Sequence, residues 1–360
     1  MSHRPVQIAG YSVGPESPPF IIAEMSGNHN QSFERAMAIV EAAAQAGAHA
    51  IKLQTYTADT MTLDLAHGEF FIDDPNSLWK GNSLYSLYQK AYTPWEWHKP
   101  LFERAKELGL IAFSTPFDFS AVDFLEDLNV PAYKIASFEN TDLRLIARVA
   151  QTGKPLIIST GMASLVEIEE AVDTAKSNGC GDLILLKCTS SYPAPPHTIH
   201  LRTLAMLKER YGVQIGLSDH TLGNATAIAA TALGATVIEK HFTLSRAEGG
   251  VDAAFSMEPE DLKNLVLDTK DAWEALGSKE YTLSEEEQSS KVFRRTLYVC
   301  EDITAGSILT ESHIRAIRPG KGLPPKYWQE VIGKKVSQDI SRGTPLSWEL
   351  LETPQVVESH

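Results

Sequence analysis

The chain has 360 residues, 43% of them apolar and 22% charged, and a formal net charge of −14. That length suits one large domain plus a small one, and the composition is that of an ordinary soluble globular protein. No apolar run is long enough to span a bilayer, so no membrane partner is expected, and the acidic balance argues against nucleic acid. The opening Met-Ser-His-Arg-Pro-Val lacks the apolar centre of a signal peptide. Cys180, Cys188 and Cys300 are odd in number and have no metal-binding spacing. Both features fit a reducing, cytoplasmic setting.

Val6 to Val13 reads as a short hairpin. Phe20-Ile21-Ile22-Ala23-Glu24 is then an apolar run that ends on an acid, followed by a helix from Ser32, an N-cap, to Gly47, a stop. The pattern repeats at Ala50–Gln54, Leu110–Phe113, Ala132–Ser137, Pro155–Ile158, Leu183–Lys187, Gln214–Ser218 and Ala235–His241. A helical segment separates each pair of runs, and an aromatic-rich insertion occupies Tyr56 to Thr93. Trp95 and Trp97 open a helix and are expected to pack, whereas Trp79, Tyr85, Tyr88 and Tyr92 suit either packing or stacking on a sugar. Eight strands that are apolar on both faces, in strict alternation with helices, are the pattern of an α/β (β/α)8 TIM barrel. An open doubly wound sheet is the rival, but no Gly-x-Gly-x-x-Gly follows a strand.

The barrel is assigned to residues 1–276, including the hairpin. Residues 277–292 are polar and read as a linker. From 293 to 351 short runs and Gly/Pro punctuation suggest a small β-rich module, too short to bury much surface alone, and 352–360 read as a loose tail. Between 291 and 350 ten Lys/Arg face six acids, a net +4, which leaves −18 elsewhere. A basic module on an acidic body suggests docking or a shared anionic ligand, though chance surface variation gives the same count.

Ligands of a (β/α)8 barrel bind at the carboxyl ends of its strands. Two runs there finish on histidine, in Ser218-Asp219-His220 and Glu239-Lys240-His241. On adjacent parallel strands, His220 and His241 can converge on one divalent ion. Lys52 and Lys134, flanked by Thr115, Ser159, Ser190 and Ser218, make a cradle for phosphate and carboxylate oxygens. A lysine on an apolar strand cannot stay unpaired, so Glu24 or Glu239 could instead bridge it structurally. His29 reads as a loop brace and Cys188 as packing.

These motifs carry a resemblance. Ile22-Ala23-Glu24-Met25-Ser26-Gly27-Asn28-His29-Asn30, Lys52-Leu53-Gln54, Ser114-Thr115-Pro116-Phe117-Asp118 and Lys134-Ile135-Ala136-Ser137-Phe138-Glu139 resemble the sialic acid synthase family. So do Ser159-Thr160-Gly161-Met162, Cys188-Thr189-Ser190-Ser191-Tyr192-Pro193, Gly216-Leu217-Ser218-Asp219-His220-Thr221 and Ile238-Glu239-Lys240-His241-Phe242. Arg318-Pro319-Gly320-Lys321-Gly322-Leu323 is similar to that family's antifreeze-like (SAF) domain. Gln31 after Asn30, the Tyr92–His98 stretch and Ser245–Asp252 resemble the family's pseudaminic branch, and Ser190 stands where the sialic pattern has Asn.

The resemblance implies condensation of phosphoenolpyruvate (PEP) with an open-chain N-acetylated amino sugar, releasing phosphate. The sugar expected in this branch is a 2,4-diacetamido-2,4,6-trideoxyaltrose; N-acetylneuraminate or legionaminate synthesis is the alternative. A metal-dependent aldolase using pyruvate, or a carbohydrate-binding SAF protein with an inactive barrel, also has to be weighed. By resemblance, Lys52, Thr115, Lys134, Ser137, Ser159, Ser190 and Ser218 hold PEP. Gln54, Tyr192, Asp252 and Arg318 face the sugar. His220 and His241 hold Mn²⁺, or Mg²⁺ or Co²⁺, and Glu24, Glu139 and Glu239 are the candidate catalytic carboxylates. The family further implies a domain-swapped homodimer in which Arg318 reaches the partner's site.

Overall fold

The computed structural model describes residues 4–75 and 77–352. They form two compact units, Met1–Gly277 and Ser278–His360. In the first, β1 (Val6–Ile8) and β2 (Tyr11–Val13) pair antiparallel as a hairpin. Eight parallel strands follow: β3 (Phe20–Glu24), β4 (Ala50–Thr55), β5 (Ile111–Pro116), β6 (Tyr133–Ile135), β7 (Leu156–Ser159), β8 (Leu183–Cys188), β9 (Gln214–Ser218) and β10 (Val237–His241). They close in sequence order, with β10 against β3, so the α/β (β/α)8 barrel is the observed fold.

The strands form because their side chains are wanted on both faces. Phe20, Ile21, Ile22 and Ala23 are fully buried, as are Leu156, Ile157 and Ile158. Helices such as Phe33–Gln45 and Leu165–Ser177 cover the outside, each turning one apolar stripe inward: Ile39, Val40 and Ala43 in the first, Ile168, Val172 and Ala175 in the second. Side-chain caps start them, Ser32 accepting from Arg35 N, Asp118 from Ala121 N, and Ser164 from Glu167 N. Two boundaries differ from the sequence reading. β5 continues through Ser114-Thr115-Pro116, paired along its length with β4, and β6 is only three residues long.

The second unit holds more than the sequence suggests. β11 (Thr296–Val299) and β12 (Ile314–Ile317) pair antiparallel. Ten buried apolar side chains, among them Leu297, Leu309, Val331 and Leu346, make a separate core. Long connections that fold back on one another supply what strand runs alone could not reveal. The polar stretch read as a linker contains a short helix, Glu285–Ser290, capped by Ser284. Glu352, placed in the loose tail, donates its N–H to Lys335 O at 2.8 Å, and residues 353–360 lie outside the described part.

Candidate active site

A cavity of about 320 Å³ opens at the carboxyl ends of the barrel strands. Its floor is a set of two lysines and two glutamates. Lys52 is ion-paired with Glu24 and donates to Thr115 Oγ1 at 3.1 Å. Glu239 Oε1 lies 3.3 Å from Lys134 Nζ and 3.8 Å from Lys52 Nζ, and accepts from Ser218 Oγ at 3.3 Å. All four charged side chains are buried. The bridges foreseen as a structural alternative are therefore present, but they sit in the cavity rather than behind it.

Burial raises the Glu24 carboxyl to about 7, outweighing the neighbouring Lys52. Burial acts the same way on Glu239, but Lys134 and Lys52 prevail and hold that carboxyl below its usual range. Burial also lowers Lys134, although Glu239 opposes it. Two lysine ammonium groups side by side with hydroxyls suit the oxygens of an anion.

Hydroxyls complete the floor. Ser137 and Ser159 line the cavity, and the Ser159 Oγ is buried with no hydrogen-bond partner. Ser137 and Ser190 crowd against Gly161, whose φ is +45°. A Cβ there would lie 2.3 Å from Ser137 Cβ and 2.9 Å from Ser190 Oγ, so only glycine fits. Asn140, not singled out from the sequence, donates to the carbonyls of Ser159 (3.1 Å) and Thr160 (2.9 Å) and fixes that turn. Thr115 and Ser190 are not themselves among the lining residues; Thr115 contributes through Lys52.

His220 and His241 face each other with ring centroids 5.4 Å apart. His220 Nδ1 is 3.0 Å from Thr189 O. A carbonyl can only accept, so Nδ1 carries a proton and any metal contact would fall to Nε2. Burial disfavours the charged ring, but Cys188 and the Thr189 carbonyl prevail and hold His220 above the usual histidine range, so a bound ion would have to displace a proton. His241 Nδ1 is buried without a hydrogen-bond partner, 3.8 Å from Asp252 Oδ2. Burial, then His220 and the lysines, push His241 well below the usual histidine range, so it is neutral, the form that binds metal. Phe255 packs on both rings. Among the described residues no cluster of three or more His, Cys, Asp or Glu is arranged as a metal cage. The donor set nevertheless fits an ion held by two imidazoles, with its other positions open to substrate and water.

Lys240, between Glu239 and His241, turns the other way. It donates to Asp219 Oδ2 (2.9 Å) and to the carbonyls of Thr221 (2.7 Å) and Gly223 (3.0 Å), clamping the loop that carries His220. His29 braces its loop, Nδ1 accepting from Gln31 N at 3.2 Å.

Gln54, Tyr192 and Asp252 line the cavity on the histidine side. Gln54 donates to Glu24 Oε1 at 2.9 Å and to Ser26 Oγ at 3.2 Å, and Ser26 in turn donates to Asp252. Ser26 is a further site residue that sequence reasoning passed over. Glu139 also lines the cavity, its Oε2 buried and unpartnered, and burial raises its carboxyl to about 7. The 56–93 insertion builds one wall. Trp79 Nε1 donates to Val251 O at 2.9 Å, tying that wall to the loop carrying Asp252. Trp95 packs on Phe124, and Trp97 on His29 and Phe33. Arg318 belongs to the second unit.

Residues 39–281 match the NeuB family, and residues 294–352 match the SAF domain. The chain belongs to the NeuB family. It is 44% identical over 336 residues to a pseudaminic acid synthase of Helicobacter pylori, covering 93% of this chain and 98% of that protein. A pseudaminic acid synthase of Campylobacter jejuni is 42% identical over 91% of this chain and 95% of its own length. Among solved structures, an N-acetylneuraminic acid synthetase from Leptospira borgpetersenii superposes with a TM-score of 0.72 at 31% identity, covering 80% of this chain and 95% of that one. The NeuB match embraces β4 to β10, and so Lys52, Lys134 and both histidines.

Proposed function

We propose that the chain is a PEP-dependent nonulosonic acid synthase that makes pseudaminic acid. It condenses PEP with open-chain 2,4-diacetamido-2,4,6-trideoxyaltrose and water, and releases phosphate. The observation that carries the reading is one cavity with a lysine–hydroxyl floor on one side and a histidine pair on the other, in a chain 42–44% identical to pseudaminic acid synthases.

Lys52 and Lys134 hold the phosphate and carboxylate of PEP, with Ser137, Ser159 and Ser218 donating around them, Ser190 packed behind Gly161, and Thr115 setting Lys52. Gln54, Tyr192 and Asp252 align the sugar so that its aldehyde carbon meets carbon 3 of PEP. A divalent ion at His220 and His241, which we propose to be Mn²⁺ with Mg²⁺ or Co²⁺ able to replace it, would supply Lewis acidity at the aldehyde oxygen. As carbon 3 attacks, positive charge develops at carbon 2, and Glu239 faces it from between the lysines. Water adds at carbon 2 and loses one proton to Glu24, whose carboxyl sits near 7 and so exchanges protons at neutral pH. That proton goes on to the alkoxide left on the former aldehyde carbon, and the bond from carbon 2 to the phosphate oxygen then breaks as carbon 2 becomes a ketone, releasing phosphate with water's second proton. Glu139 accepts from a sugar hydroxyl.

The working form is proposed to be a homodimer in which the SAF unit covers the partner's barrel, Arg318 reaching the partner's sugar. Phe138, Met162 and Val166 support a covering partner, for they are apolar and 62%, 57% and 65% exposed, the first two on the loops after β6 and β7 and the third in the first turn of the helix Leu165–Ser177. A cytoplasmic location is proposed from the free cysteines. No described helix is long and apolar enough to cross a membrane.

The test is phosphate release by the purified chain with Mn²⁺, PEP and the altrose sugar. Turnover of N-acetylmannosamine alone would overturn the pseudaminic assignment, and turnover with pyruvate in place of PEP would indicate an aldolase.

A further inference from the structure

The helix Leu84–Ala91 is amphipathic in an unusual direction. Leu84, Leu87, Tyr88 and Ala91 stand at i, i+3, i+4 and i+7, one face of a helix, and all four line the cavity. Its other side is polar, with Tyr85 donating to Asp59 at 3.1 Å and Lys90 to Asn82 at 2.9 Å. Met61 and Ile72 extend the same wall. Met61, Ile72, Leu84 and Leu87 are only half-buried, and none belongs to the barrel core. An apolar stripe normally faces the core; this one faces the empty volume above the charged floor.

The wall is fixed in place. Ser83 caps the helix by accepting from Ser86 N at 3.1 Å. Its last turn presses on the loop after β3, where a Cβ on Gly27 would lie 3.1 Å from Ala91 Cα. Gln31 Nε2 donates to the carbonyls of Lys90 (3.1 Å) and Tyr92 (2.6 Å), and Tyr88 meets Tyr56 edge-on at 5.8 Å. A rigid apolar surface opposite rigid polar strand ends is the arrangement of a site that reads two ends of one ligand.

We infer that the Leu84–Ala91 stripe, with Met61 and Ile72, is the specificity wall for the deoxygenated end of the sugar, taking the carbon-6 methyl. This rests on the synthase reading above. The aldehyde end must lie over the floor to meet PEP, so the opposite end of the open chain is carried outward to the wall. Leu and Ile side chains offer no hydrogen-bonding atom. A hydroxyl pressed against them loses water and gains no partner, whereas a methyl loses nothing. Such a wall discriminates by about 10 to 10²-fold, since an apolar pocket rejects an added hydroxyl only modestly.

The experiment compares kcat/KM for 2,4-diacetamido-2,4,6-trideoxyaltrose and its 6-hydroxy counterpart in the full chain, in Leu87→Asn and in Leu87→Met. Wild type is expected to prefer the deoxy sugar by about 10-fold or more. Leu87→Asn should erase most of that preference through the sugar KM, leave the KM for PEP unchanged, and be undone by Leu87→Met. Ile72→Thr carries the same comparison if Leu87→Asn melts early. Absence of a wild-type preference, or equal losses on both sugars in the polar variants, overturns the wall while leaving the synthase standing. Turnover of N-acetylmannosamine alone removes the pseudaminic assignment and the wall with it.

Discussion

Lys134 Nζ reaches Glu239 Oε1 across 3.3 Å, and the two residues stand on strands at opposite positions of the closed barrel. This contact spans the interior beneath the cavity, and Glu239 also faces Lys52. Glu239→Ala would leave the buried Lys134 without its counter-charge, and Lys52 with Glu24 alone. A loss of about 3–5 kcal/mol in denaturant unfolding is expected, together with a fall in phosphate release of about 10²-fold or more. The double variant Lys134→Met/Glu239→Leu should recover much of the stability and none of the activity. Recovery of both would remove the pair from the chemistry.

Glu139 carries a pH signature. Burial raises its carboxyl to about 7, so the folded chain keeps a proton that the unfolded chain releases near the usual carboxylate pKa of about 4.3. Its contribution to stability is complete below about pH 4 and is lost as pH rises through 7. Relative to wild type, Glu139→Gln should therefore gain stability between pH 5 and pH 8. The kcat/KM profile should also lose an inflection near 7. Parallel pH–stability curves for the two proteins would refute the shift.

Removing the metal should be reversible. Chelation is expected to abolish phosphate release and added Mn²⁺ to restore it. His241→Ala should lose the ion by elemental analysis while keeping its far-ultraviolet circular dichroism. Retention of stoichiometric metal in that variant would contradict the two-histidine site.

Lys240 is expected to matter for stability rather than turnover. Lys240→Ala strands Asp219 in a buried pocket and should cost about 3–5 kcal/mol, whereas Lys240→Ala combined with Asp219→Asn should recover part of it. A Tm unchanged by Lys240→Ala would show the clamp to be idle.

Trp79 holds Val251 through a single hydrogen bond. Trp79→Phe should raise the KM for the sugar about 5- to 10-fold, since a lost hydrogen bond is worth about 1 kcal/mol, and leave the KM for PEP alone. An equal change in both would place the residue elsewhere in the cycle.

The barrel was legible because each strand is buried on both sides and announces itself as a short apolar run with a polar end. The site was legible for the same reason: a lysine or histidine at such an end has few structural uses. Strand parity would have taken the reading further. Glu239 and His241 share one face of β10 and point into the cavity, while Lys240 takes the other and finds Asp219. The apolar wall was harder to see, for Leu84, Leu87 and Ala91 have the spacing of any core-facing helix. What they face depends on the folded chain around them. The small unit's core escaped notice for a related reason: it is made by loops whose partners lie far apart in sequence, as with Ile303 and Ile340.

The pairing of Phe20–Glu24 with Val237–His241 joins the first barrel strand to the last. During synthesis, Glu24 and Lys52 leave the ribosome long before Glu239. Until β10 arrives the ring stays open, and Lys134 lacks the carboxylate that neutralises it, so hydration must hold those charges in water. The charged floor of the cavity is therefore expected to be the last part of the barrel to dry out. A nascent chain halted before residue 237 should stay expanded at its centre and remain a substrate for chaperones and proteases.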